Sequence, residues 1–226
     1  MTTETKSENL SDPGAADGLA KAVAQASKGK KGPPPVHLWN PPYCGDLDIR
    51  IGRDGMWWYL GTPIGRLELV RLFASVLKLE DGKYFLVTPV EKIGITIDDA
   101  PFVAVDFRVE GEGDRQVLVF ETNVGDETAA GPENPIRVAR DPETGEPSPY
   151  VHVRRGLEAL IDRKSFYRLV DIGEHREVDG TRWFGVSSGG AFFAIIPSVE
   201  MEGEDADRDR HRPPATRGAD LNSGDR

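Results

Sequence analysis

The sequence predicts an α+β fold made of two tandem related units, each an antiparallel sheet with one main helix. Three observations carry that prediction. Short apolar–polar alternations such as Asp48-Ile49-Arg50-Ile51 recur along the chain, as half-buried strands require. Asp-Gly pairs punctuate them at 54–55, 81–82 and 179–180, and Asp-Gly between alternating stretches is a strong hairpin signal. In one stretch the spacing changes to three and four residues, at Ile64, Leu67, Val70, Phe73, Ala74 and Leu77, which gives a helix a single core-facing stripe.

The elements follow in order. His37 to Asp46 is a Pro-rich entry. Asp48–Ile51 is a strand, Asp54-Gly55 a turn, and Trp57–Leu60 a returning strand whose aromatics suit a pleated surface. Gly61 breaks it. Thr62-Pro63 reads as N-cap and first helical residue, where the missing N–H of proline costs nothing. Asp81-Gly82 turns into a strand over Tyr84–Val87. Ile93, Ile95 and Ile97 alternate, as do Phe102 to Phe107, and Val117–Phe120 is the next strand after the Gly111–Asp114 loop. Residues 123–134 read as loop. Ile136–Arg140 opens a second unit with a longer turn from Asp141 to Pro149, and Tyr150, Val151 and Val153 return from it. A helix over Arg155–Asp162 offers Leu157, Leu160 and Ile161 to the core. Phe166–Val178, Arg182–Ser187 and Ala191–Ile196 form a meander.

The second unit reads as a worn copy of the first. Ile49-Arg50-Ile51-Gly52-Arg53-Asp54 resembles Ile136-Arg137-Val138-Ala139-Arg140-Asp141, 87 residues on. Gly65-Arg66-Leu67-Glu68 is echoed by Arg155-Gly156-Leu157-Glu158. Asp81-Gly82 with Tyr84-Phe85 is echoed by Asp179-Gly180 with Trp183-Phe184. Kept order with small insertions is the mark of an old duplication, and secondary structure alone does not demand an Arg-x-x-Arg-Asp pattern. The first unit is placed at 37–120 and the second at 121–199.

Residues 1–36 and 200–226 are small, charged or Pro-rich, too poor in apolar surface to offset their ordering entropy, and are expected to be disordered. The net charge is −10. Residues 1–36 account for +1 and residues 201–226 for −2, which leaves −9 on residues 37–200. An acidic core argues against non-specific nucleic-acid binding and against docking on anionic lipid. The single cysteine, Cys44, allows neither an intramolecular disulfide nor a thiolate metal cluster. No apolar run approaches the roughly 20 residues of a membrane helix, and the start of the chain lacks the apolar stretch of a signal peptide. The expected compartment is the cytoplasm.

Candidate chemistry is sparse. Gly185-Val186-Ser187-Ser188-Gly189 matches the G-x-S-x-G pattern, but a nucleophile elbow needs a helix after the serine, and the Ala191–Ile196 stretch reads as strand. The histidines, His37, His152, His175 and His211, show no i, i+4 pairing of a helical metal site. There is no phosphate-loop motif, and no cofactor or metal is expected. The best cluster is arginine with aromatics: Arg50, Arg53, Trp57 and Arg66 in the first unit, and Arg137, Arg140, His152 and Arg154 in the second. The planar fork of arginine suits carboxylate or phosphate and stacks on aromatic faces. On an acidic protein the simpler reading of such arginines is internal salt bridging. If the two units pack about a pseudo-twofold, both sets line one groove and form a ligand site.

A family resemblance rests on Cys44-Gly45-Asp46-Leu47-Asp48, Arg53-Asp54-Gly55, Gly61-Thr62-Pro63-Ile64-Gly65-Arg66, Leu69-Val70-Arg71-Leu72-Phe73 and, most specific, Thr88-Pro89-Val90-Glu91-Lys92. Asp99-Ala100-Pro101-Phe102, Pro149-Tyr150, Phe166-Tyr167 and Gly185–Gly190 extend it over nearly all of 37–199. Together these resemble the bacterial family called domain of unknown function 1285. The resemblance implies a proteobacterial-type protein with two similar α+β halves and an involvement in signal transduction. The family has no assigned activity, so no catalytic residue carries over. The function expected is a non-catalytic cytoplasmic module that binds a small ligand or a protein partner. The alternative is a small hydrolase-type enzyme using carboxylates or His152 in a cleft between the units.

Overall fold

The computed structural model describes residues 15–27 and 34–200, which form two six-stranded sheets, a three-stranded sheet and three α-helices. After α1 (Ala15–Ser27), the first sheet comprises β1 (Tyr43–Ile51), β2 (Trp57–Tyr59), β3 (Thr62–Pro63), β4 (Leu77–Glu80), β5 (Lys83–Val87) and β6 (Lys92–Ile97). Helix α2 (Leu67–Ser75) sits between β3 and β4. The second comprises β7 (Phe102–Glu110), β8 (Val117–Thr122), β9 (Glu127–Ala129), β10 (Ile136–Arg140), β11 (Pro147–Arg154) and β12 (Leu157–Ile161). Helix α3 (Arg163–Asp171) then leads to an antiparallel sheet of β13 (Glu174–Val178), β14 (Thr181–Ser188) and β15 (Ala191–Pro197).

The strand orders are β3-β2-β1-β6-β5-β4 and β10-β11-β12-β7-β8-β9. Each sheet is two three-stranded meanders side by side, with the first strand of the first meander parallel to the last strand of the second: β1 beside β6, β7 beside β12. The two units are therefore related, but in a different register from the one the sequence suggests. β1 corresponds to β7, not to β10. The Ile-Arg-x-x-Arg-Asp likeness pairs a central strand with an edge strand, and it is a likeness of alternation followed by a polar turn. The sheets are also mixed rather than purely antiparallel. The expected boundary at 120 misplaces β7 and β8, which belong to the second sheet.

Three further expectations change. Thr62-Pro63 does not open a helix; it pairs with Tyr59 and Trp58 as an edge ribbon, and α2 starts at Leu67. Arg155–Asp162 is not a helix but β12. Arg155 and Gly156 have φ of 48° and 78°, the two positive values of a type I′ hairpin turn, so Leu157, Ala159 and Ile161 alternate inward. The helix lies just beyond, where strand was expected. Asp162 caps it by accepting from Ser165 N at 2.7 Å. Within the expected N-terminal tail, α1 is ordered against α2, with Leu19 and Val23 buried. The remaining tail residues, 1–14, 28–33 and 201–226, lie outside the described residues.

One continuous core joins the elements. In β1, Leu47, Ile49 and Ile51 are buried while Asp46, Asp48 and Arg50 face outward. Trp57, 1% exposed, stacks on Phe73 of α2 at 6.3 Å between ring centroids. Burying side chains of this kind contributes roughly 1.5–3 kcal/mol each.

The β1–β2 turn is clipped to the second sheet. Asn123 donates to Gly55 O (3.2 Å) and accepts from Val103 N (3.1 Å). Gly55 has φ +77°, and a Cβ there would stand 2.5 Å from Asn123 Nδ2, so both backbone and space call for glycine. This clip fixes the turn that carries Arg53.

Candidate functional site

Arg53 stands on that turn with its side chain 63% exposed. It donates to Ser148 Oγ of β11 at 2.8 Å. Its Nε is 3.2 Å from Asp99 Oδ2, an ion-pair contact without hydrogen-bond alignment. Asp99 Oδ1 accepts from the Tyr150 hydroxyl at 2.7 Å. Burial, and after it this carboxylate bond, push the Tyr150 phenol upward. Arg53, Ser148 and Tyr150 line an open cavity of about 340 Å³ with Asp98, Asp99, Arg140 and Asp141. Arg53 and Ser148 also border a neighbouring cavity of about 330 Å³, lined mainly by Pro147, Pro149, Phe166 and Tyr167, with Glu146, Asp162 and Arg163 among its charged residues. The result is one groove between the first sheet's turn and the second sheet, polar on one side of Arg53 and apolar on the other.

The structure brings together four of the eight predicted residues. Arg53 and Arg140 share the groove. Arg50 is tied beside it by two bonds to Asp98, of 2.8 and 2.6 Å, and this pairing holds the Asp98 carboxyl below the usual range. Arg137 is tied likewise to Glu158, at 2.7 and 2.5 Å, with its guanidinium 4.2 Å over the Tyr150 ring. Arg50 and Arg137 thus follow the salt-bridge reading. Arg140 contacts Glu200 at 3.0 Å.

The other four are elsewhere. Trp57 is core. Arg66 takes the N-cap position of α2 and lines neither cavity of the groove. Arg154 pairs with Asp126, donates to Ala74 O at 2.9 Å and lies over the Phe102 ring, joining α2 to the second sheet. His152 has both ring nitrogens engaged. Gly156 N–H donates to Nε2 at 2.9 Å, which leaves the proton on Nδ1 to bond Asn134 Oδ1 at 2.8 Å. A histidine fixed this way closes a turn and has no lone pair left for a reacting proton.

Sequence reading missed Asp99, Ser148 and Asn123. An Asp-Asp pair before Ala100-Pro101 and a serine between two prolines mark turn ends, and nothing local says that they meet. In the G-x-S-x-G stretch, Ser187 donates to Glu174 at 2.5 Å and Ser188 to Ala130 O at 2.7 Å. Neither serine bonds a histidine, and a β-hairpin follows. Among the described residues no three metal-binding side chains converge, and no helix is long and apolar enough to cross a membrane.

Family models match both halves: residues 34–100 match the N-terminal domain, and residues 101–195 the C-terminal domain, of the domain of unknown function DUF1285. The chain belongs to the DUF1285 family. The break between the two matches falls between β6 and β7, where one six-stranded sheet gives way to the other. A crystal structure of a DUF1285 protein from Silicibacter pomeroyi DSS-3 is similar at 60% identity and a TM-score of 0.72, over 80% of this chain and 97% of that one. Another, from Shewanella baltica OS155, has 30% identity and a TM-score of 0.44 over 55% and 91%. No curated protein matches. A DUF1285 domain is described as one of unknown function, so no activity transfers with membership.

Proposed function

We propose that this DUF1285 chain is a non-catalytic binding module in signal transduction, whose groove takes the anionic group of a small ligand or of a protein partner. The reading rests on the contrast among its arginines. Arg50 and Arg137 are saturated by two-pronged carboxylate pairs, whereas Arg53 and Arg140 face the same groove on replaceable partners: a serine hydroxyl, an unaligned carboxylate, and one exposed glutamate. Exposed pairs of that kind are worth about 0–1 kcal/mol, so a ligand carboxylate or phosphate that offers two charge-assisted bonds displaces them readily. The apolar wall beyond Arg53 suits a flat hydrocarbon or aromatic part of the same ligand. His152, the histidine of the hydrolase alternative, lies outside this groove with both ring nitrogens bonded, which supports a binding reading over a histidine-based hydrolase.

The test is thermal unfolding of the full chain with phosphates, dicarboxylates and nucleotides. A ligand at a hundred times its dissociation constant stabilises by about 2.7 kcal/mol. Arg53→Glu with Arg140→Glu is expected to erase that shift while the unliganded melting temperature stays nearly unchanged. Collapse of the fold in the double variant would make the arginines structural and overturn the reading.

A further inference from the structure

One of the two groove arginines already pairs with a carboxylate from the end of the described chain. Ser198 is buried and bonded to His175 Nδ1 at 2.7 Å, so the chain is anchored at the end of β15. Two residues later Glu200 reaches Arg140 at 3.0 Å. From that point the sequence runs Glu200-Met201-Glu202-Gly203-Glu204-Asp205-Ala206-Asp207, with five acids and no base before Arg208. The acids recur on the face of Glu200 whichever way the chain continues: 200, 202 and 204 at the period of an extended segment, 200, 204 and 207 at that of a helix. Each extended residue spans about 3.3–3.6 Å, so a reach of two to four residues is roughly 7–14 Å beyond Glu200, and Arg53 lines the same cavity as Arg140.

We infer that the acidic segment starting at Glu200 is a ligand of this groove in cis, an internal acidic peptide that an external anion must displace. The inference rests on the binding reading above and adds the chemistry of the partner: a run of carboxylates, from this chain or another. The groove's own acids limit the strength of the contact without abolishing it. Asp98 is spent on Arg50, and Asp99 on Tyr150 and Arg53. Asp141 Oδ1 accepts from Glu143 N and Thr144 N. What remains is a weak, salt-screened association, held near the groove by a high effective concentration.

Two measurements on the full chain test it. A nitroxide at Ala206→Cys, in a background of Cys44→Ser, is expected to broaden the amide signals of Arg53, Ala139 and Ser148. The broadening should disappear at high salt and in the Arg53→Glu/Arg140→Glu variant. Fluorescein-labelled hexaglutamate should bind on the order of tenfold more tightly once the five acids are neutralised (E200Q, E202Q, E204Q, D205N and D207N), as expected if the groove is free about a tenth of the time. No broadening overturns the cis contact, even with tighter hexaglutamate binding, since that gain is then a general charge effect. Hexaglutamate bound equally by both forms, without broadening, overturns the inference and keeps the groove reading. Broadening with no hexaglutamate binding by either form keeps the segment in the groove and sinks the site for external anions.

Discussion

Two turns present the two groove arginines, and they are built differently. The β1–β2 turn that carries Arg53 is fastened outside itself. Asn123 spans from Gly55 O to Val103 N, so a residue of the second sheet holds a turn of the first. Among the described residues, the hydrogen bonds that hold the β10–β11 turn after Arg140 run within the turn itself. Asp141 Oδ1 accepts from Glu143 N at 2.9 Å and Thr144 N at 2.8 Å, and Gly145 N donates to Asp141 O, while residues 140–147 are all exposed. One wall of the groove is set by tertiary packing and the other by local hydrogen bonds. If the groove binds an anion as proposed, one arginine is presented by a turn held from the other sheet and the other by a turn held by its own hydrogen bonds.

Breaking the fixed wall is expected to cost most. Gly55→Ala puts a side chain at φ +77° with its Cβ 2.5 Å from Asn123 Nδ2 and 3.0 Å from Val103 Cγ2. Backbone strain and the displaced clip add up, for a loss of about 2 kcal/mol or more. Chemical denaturation should show it as a lower midpoint with an unchanged slope. Asn123→Ala keeps the glycine and removes only the clip. Val103 N–H then lacks its acceptor, and an unsatisfied buried donor costs about 1–3 kcal/mol. Equal stability of Asn123→Ala and the parent would mean that the turn holds itself, and the contrast between the walls would fail.

The same contrast explains what sequence could reveal. The fastening of the Arg140 turn is local, and Asp141-Pro142 with Thr144-Gly145 announces it. Asp54-Gly55 announces the other turn but not its clip, because Asn123 is 68 residues away. Pairings of β1 with β6 and β7 with β12 are non-local in the same way, so from sequence the sheets read as antiparallel and the repeat reads out of register. Leu157, Leu160 and Ile161 fit a helical stripe as well as a strand. What decides between them is a hairpin turn at Arg155-Gly156, and arginine is not a residue that signals φ above zero. Asp162 and Ser165, a legible N-cap pair, mark the true helix one step later. Of the candidate residues, Arg53 and Arg140 were recognisable as arginines beside turns. Trp57 and His152 were not distinguishable from site residues, because burial and double hydrogen bonding leave no trace in local sequence.

The smallest expected effect is the most specific, since it separates the walls by their response to pH. The backbone bonds from Thr144 and Glu143 hold the Asp141 carboxyl below its usual range. A carboxylate lowered in the folded state contributes stability that is fully present above its unfolded value, near pH 4. That contribution is lost as pH falls through the lower folded value. From pH 7 to 5 the turn should stay closed, and it should open only at more acid pH. The clip on the other wall is made by an amide and a glycine carbonyl, which do not titrate. Amide chemical shifts followed from pH 7 downward are therefore expected to move for Glu143 and Thr144, with a midpoint below the ordinary carboxylate range, while Val103 stays still over the range in which the fold persists. A Val103 amide that titrates together with Thr144 would show that the walls are coupled, and the groove would then answer to acid as one unit.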